Sequence, residues 1–152
     1  MSTLYLEDLS PGRRFTAGPE EVTTEMIKGF AAEYDPQPFH LDEAAAAAHP
    51  VFGGLAASGW HTAALSMRLS VQALGRLGWG VVGGGGDLQW TRPVRPGDRL
   101  RLVAEVLEVA PSRSRPDRGS VLMRNAMLNQ RDEEVQVFTV RLLVPRRLAA
   151  QE

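Results

Sequence analysis

Residues 34–62 read YDPQPFHLDEAAAAAHPVFGGLAASGWHT, and they gather the chain's three histidines (His40, His49, His61), a proline-braced acid and a glycine-led apolar run. Asp35 stands five residues before His40, with Pro36 and Pro38 between them. Proline locks its own φ and drives the residue before it toward extended backbone. Residues 35–38 are therefore expected to be a stiff, non-helical segment that holds a carboxylate and an imidazole in a set relation. Gly53-Gly54 and Ser58-Gly59 then precede a long apolar segment, which places the N-terminus of a buried helix at about Ser58. A helix start offers free N–H groups and positive potential. An acid, a base and an anion-favouring helix end lie together here, and these are the parts of a site.

Upstream, Thr23 or Thr24 caps a helix in which Met26, Ile27, Phe30, Ala31 and Tyr34 recur at helical spacing, and Pro36 requires it to stop. Asp35 then lies just past a helix end, where loops carry side chains into clefts. Leu41 to His49 reads as a short second helix, started by Asp42 and Glu43, filled with alanine and stopped by Pro50. From Gly59 to about Gly78 the chain is apolar on most sides, with Arg68, Gln72 and Arg76 in a single polar stripe. Such a helix must be surrounded. Four strand-like segments supply the wrapper, over residues 79–94, 98–110, 120–130 and 135–144, after a possible strand near Arg13 to Thr16. In the second of the four, Leu100, Leu102, Ala104 and Val106 alternate with Arg99, Arg101 and Glu105; in the last, Phe138, Val140, Leu142 and Val144 share a face. Short connections between them imply an antiparallel sheet. The expected architecture is α+β, an antiparallel β-sheet wrapped around a long central helix, in a single domain over residues 1–152.

At 152 residues the chain buries a core without staples, and with no cysteine it has no disulfide or thiol chemistry. A formal net charge of −1 gives no bulk attraction to nucleic acid or anionic membrane. No apolar run approaches the ~18 residues of a membrane span, and the early acids argue against a signal peptide, so a cytoplasmic location is expected. Lys28 is the only lysine among 17 cationic residues; the arginines suit forked recognition of phosphate. Arg113, Arg115 and Arg118 share a polar loop that is either a solvated turn or a phosphate contact. Gly83 to Gly86 is followed by neither Lys-Ser/Thr nor a helix, so it marks a bulge or a close backbone approach and not a phosphate loop. His49, before Pro50, reads as a helix-end cation, and His61 as a packing or pocket-wall residue. Histidine spacings of nine and twelve lack the i, i+4 pairing of common zinc sites, so neither a metal nor another cofactor is expected. Trp60, Trp79 and Trp90 read as core or interface aromatics.

Tyr34-Asp35-Pro36-Gln37-Pro38-Phe39-His40 is similar to an Asp-x-Asn-Pro-hydrophobic-His signature. With Ala57-Ser58-Gly59 and Arg92-Pro93-Val94-Arg95-Pro96-Gly97-Asp98, nearly the whole chain resembles the MaoC-like acyl dehydratases, relatives of the (R)-specific enoyl-CoA hydratases. The resemblance implies a hot-dog fold, a homodimer or higher homo-oligomer formed by pairing the sheets, and an acyl-CoA or acyl-carrier thioester in a tunnel near the interface. Gln37 stands where the family has asparagine, and Ser58-Gly59 where it has His-Gly. Hydrating an α,β-unsaturated thioester needs a base for the water, a proton for the α-carbon and a donor for the enolate oxygen. Asp35 and His40, gripping one water between them, and the Gly59 N–H meet those needs; the reverse reaction dehydrates a 3-hydroxyacyl-CoA. Gln37, Ser58, Trp60, Arg113, Arg115 and Arg118 are the candidate substrate-binding residues. The competing readings are a hot-dog thioesterase and a non-catalytic acyl-CoA-binding or partner subunit.

Overall fold

The computed structural model describes residues 2–148. Helix α1 spans Thr24–Tyr34, and Thr23 caps it by accepting a hydrogen bond from the Met26 N–H at 3.2 Å. It ends with the Asp35 N–H on the Ala31 carbonyl at 2.9 Å. The segment that follows is not wholly extended. Pro38 opens a single helical turn, α2 (Pro38–Leu41), because proline's fixed φ and missing N–H suit a first helical position. His40 rides on that turn. Helix α3 is Glu43–Ala48, capped by Asp42 through the Ala45 N–H at 2.8 Å. It is shorter than the sequence reading, because Leu41 belongs to α2. His49 lies beyond its end, where Nδ1 accepts from the Val51 N–H at 3.1 Å; it is a turn acceptor and not a helix-end cation. Lys28 ties α1 to α3 through Glu43 at 2.8 Å.

The central helix α4 runs Gly59–Leu74 behind an N-cap at Ser58. It stops short of Gly78, because Gly75 is a poor helix former and Leu77 leaves to bridge Leu4. Five antiparallel strands follow the order β1-β3-β4-β5-β2: β1 Arg14–Glu21, β2 Gly83–Trp90, β3 Arg99–Pro111, β4 Arg118–Leu128 and β5 Glu134–Pro145. Only β3, β4 and β5 form a meander. β2 pairs with β5 at the far edge and not with β3, so the four segments do not neighbour one another in sequence order, and residues 91–98 carry the chain back across the sheet. In the glycine run the register shifts between Gly83 and Gly86. A side chain at Gly86 would run into the Thr139 carbonyl, the close backbone approach that four glycines announce.

Leu100, Leu102, Ala104 and Val106 are buried, as are Met123, Met127, Leu142 and Val144, and they pack with Ile27, Leu65, Leu69 and Leu74 in one core. Each such Leu or Val contributes about 1.5–3 kcal/mol relative to exposure. The wrapping is one-sided. The sheet covers the Leu65, Leu69 and Leu74 face of α4, while Trp60, Met67 and Val71 stay exposed on the other. Among the described residues no helix is long and apolar enough to cross a membrane.

Candidate active site

α1, α2 and the start of α4 converge on Asp35. His40 is buried, and its Nδ1 lies 2.7 Å from the Ala56 carbonyl oxygen. A carbonyl only accepts, so Nδ1 carries the hydrogen and Nε2 is the nitrogen turned to chemistry. Nε2 faces Asp35 Oδ2 at 3.3 Å, a contact that becomes an ion pair when the ring takes a second proton. Asp35 Oδ1 accepts from Gln37 Nε2 at 2.6 Å, and the Ser58 hydroxyl lies near the same carboxylate. Partial burial opposes ionisation of Asp35, but the hydrogen bond from Gln37, the Ser58 hydroxyl and the neighbouring His40 outweigh it and hold the carboxyl below its usual value. The carboxylate is therefore charged at neutral pH. At 3.3 Å the two side chains touch, so a water held by both has to lie beside the pair and not on the line between them.

The Ser58 oxygen accepts from the Trp60 N–H at 3.3 Å, and its hydroxyl lies near the Asp35 carboxylate. Gly59 opens α4, where the first N–H groups have no partner within the helix. A side chain there would lie 2.5 Å from Trp90 Cε2, because the indole rests on the helix start. Trp90 is in turn anchored by Nε1 donating to Gln136 Oε1 at 3.0 Å, and Trp60 meets it edge-on at 5.1 Å. Beside these groups opens a cavity of about 320 Å³ lined by His40, Phe52, Gly59, Thr62, Trp90 and Arg92 among others. Thr62 and Arg92 had no chemical signal in the sequence. Arg92 enters only through the crossing of residues 91–98, which local periodicity does not encode.

Arg95 is a second residue that the spacing concealed. Its guanidinium donates to the carbonyls of Phe52 at 2.5 Å, Gly54 at 2.8 Å and Leu55 at 3.3 Å. Buried Asp98 accepts from the Arg95 N–H at 2.9 Å and from Gln130 Nε2 at 2.9 Å, and the Ala57 N–H reaches the Val94 carbonyl at 2.9 Å. The loop that delivers Ala56 to His40 and Ser58 to Asp35 is thus bolted to residues 94–98.

The structure does not bring Arg113, Arg115 and Arg118 to this cluster. Arg118 pairs with Asp117 at 2.8 Å and lies over Trp79 at 4.9 Å, past the C-terminal end of α4. The helix has 16 residues, so that end is about 24 Å from Gly59 at ~1.5 Å per residue. His61 packs flat on Phe30 at 4.9 Å between α4 and α1, and burial, with Arg68 adding to it, pushes its pKa below the usual 6.5. Among the described residues, no three His, Asp or Glu side chains gather as a metal-binding set.

A family model described as MaoC like domain matches residues 8–124. The chain is 33% identical over 143 residues to the uncharacterized protein YdeM of Bacillus subtilis (strain 168), covering 93% of this chain and 97% of that protein. It superposes on a MaoC-like dehydratase from Rhodospirillum rubrum with a TM-score of 0.92 and 52% identity over 96% of this chain and 99% of that one. It also superposes on the unliganded R-hydratase PhaJ1 of Pseudomonas aeruginosa with a TM-score of 0.74 and 27% identity over 99% and 93%.

Proposed function

Since the chain belongs to the MaoC-like hydratase and dehydratase family and has its hot-dog fold, we propose that it catalyses the reversible hydration of a trans-2-enoyl-CoA to the 3-hydroxyacyl-CoA. The observation that carries this reading is the Asp35–His40 contact of 3.3 Å beside the first residue of α4. With Nδ1–H committed to Ala56, both Nε2 and Asp35 Oδ2 are acceptors. A water beside them gives one hydrogen to each and presents its lone pair to the β-carbon. The carboxylate takes a proton as the oxygen–carbon bond forms and returns it to the α-carbon, so the protein is unchanged after the cycle. The Gly59 N–H and the α4 dipole receive the negative charge that builds on the thioester oxygen. One such donor is worth about 3–4 kcal/mol, and general acid–base help about 10²–10⁴-fold.

The working unit of this proposal is a homodimer. Among the described residues β2 is an edge strand of the sheet, and it lies beside the exposed Trp60 and Met67 of α4; a second copy pairing there covers both the edge and these side chains. The acyl carrier is coenzyme A or an acyl carrier protein.

The test is crotonyl-CoA. Loss of its conjugated absorbance without release of free thiol is expected from the wild type, with a fall of about 10²–10⁴-fold on Asp35→Ala or His40→Ala. Thiol release from saturated acyl-CoAs instead makes the protein a thioesterase. Hydration that survives both replacements removes the mechanism, and binding without turnover leaves a non-catalytic acyl-CoA-binding subunit.

A further inference from the structure

A second cavity, of about 400 Å³, runs beside the latter half of α4 and is lined by Met67, Ser70, Leu74, Gly83, Asn125 and Phe138 among others. Met67 is eight residues beyond Gly59, so the cavity begins about 12 Å along the helix axis from the start of α4. Its walls are mostly apolar, which suits an acyl chain. Its polar atoms do not suit a plain one.

Asn125 is 4% exposed, and its Nδ2 donates to the Phe138 carbonyl at 3.2 Å. Because that carbonyl only accepts, the amide cannot be turned over, and Oδ1 is the atom left without a protein partner. Ser70 spends its hydroxyl hydrogen on the Ser66 carbonyl at 2.8 Å, so its oxygen also remains an acceptor. Gln136 is diagonal to Asn125 on the same inner face, since Asn125 opposes Phe138; diagonal neighbours lie about 7–8 Å apart. Gln136 is fully buried, its Oε1 is held by Trp90, and its Nε2 has no protein partner. Gln136 lies behind the cavity wall, so the polar side-chain atoms offered to a chain are the acceptors of Asn125 and Ser70. A saturated chain leaves both unpaired, which is costly in a buried site, and a carboxylate brings acceptor against acceptor. A hydroxyl donates its hydrogen to Asn125 Oδ1.

Resting on the hydration reading, we propose that this cavity receives the acyl chain of the substrate and selects a chain bearing a hydroxyl group remote from the reacting carbons. The probes are octanoyl-CoA and decanoyl-CoA with their ω-hydroxy derivatives, titrated calorimetrically into the wild-type protein. The better-fitting ω-hydroxy chain is expected to bind about tenfold or more tightly than its parent. Asn125→Leu, similar in shape without the acceptor, should erase or reverse that preference. Met67→Trp, changed on the exposed side of the helix, keeps the test open if Asn125→Leu fails to fold, because filling the cavity should weaken all chains. Equal affinity for the paired chains in the wild type overturns the proposal and means that water alone serves Asn125. Unchanged affinity in Met67→Trp places the chain elsewhere and overturns it too. A hydroxyl preference without turnover of any enoyl-CoA removes the hydration reading and keeps the cavity assignment, whereas turnover without the preference does the reverse.

Discussion

Gly59 has no space for a side chain, and this fixes two things at once. The missing Cβ lets Trp90 lie on the first turn of α4, and Gly59 itself lines the cavity together with His40. Gly59→Ala pushes a methyl into the indole, so a loss of about 1–3 kcal/mol in stability is expected from overpacking, together with a fall in kcat. Adding Trp90→Leu should return much of the stability while leaving kcat low; thermal melts and crotonyl-CoA kinetics on the single and double variants check this. Asp35 makes a pH prediction. Its folded carboxyl is held below the ordinary aspartate value of 3.8. Its stabilising contribution is therefore complete above that value and lost as pH falls through the lowered folded one. Urea midpoints of wild type and Asp35→Asn should converge in acid, with the gap open at neutral pH. The Asp35–His40 pairing was legible because two prolines limit how a five-residue spacing can fold. The bond from Gln37 and the approach of Ser58 were not legible, because they depend on side-chain reach across a gap that only the assembled turn defines.

Among the elements, residues 52–57 have no periodic structure of their own, and their shape comes from Arg95. Replacing Arg95 by Met removes charged donors from three carbonyls, and a hydrogen bond to a charged group contributes about 1.5–3 kcal/mol. A loss of about 2–4 kcal/mol in denaturant unfolding is expected, with kcat/KM reduced although no catalytic atom is changed. Lysine at this position should recover only part of both, because one ammonium does not span three acceptors. In the sequence Arg95 was one of 16 arginines, quoted within the Arg92 to Asp98 motif, but nothing local pointed to its bonds with three distant carbonyls. β3 and β5 announced themselves through alternation. β2 was visible as a strand but not as an edge, since eight residues of GGGGDLQW say nothing of which strand they join.

For the whole molecule, the one-sided wrapping of α4 is the observation that argues for a second copy. Val71, 50% exposed on the open face, touches neither the Asp35 cluster nor the core. Val71→Glu should leave the fold intact and shift the protein to a monomer in analytical ultracentrifugation, with hydration reduced if the neighbouring subunit completes the tunnel. Unchanged dimerisation would move the interface elsewhere. Periodicity suggested a helix enclosed on every side but its stripe of Arg68, Gln72 and Arg76. It missed the open face because apolar residues turned toward a partner and apolar residues turned toward a core look alike in a list of letters.

The strand order also bears on how the molecule is made. Among the described residues, the one sheet neighbour of β2 is β5, which follows it in the chain and whose last residue is Pro145. Some fifty residues must be synthesised before the two can meet, and during that interval the cavity wall beside α4 has nothing to close against. Nascent chains should therefore acquire protease resistance in a single late step once the final strand has cleared the exit tunnel, and stalled chains lacking it should be captured by chaperones.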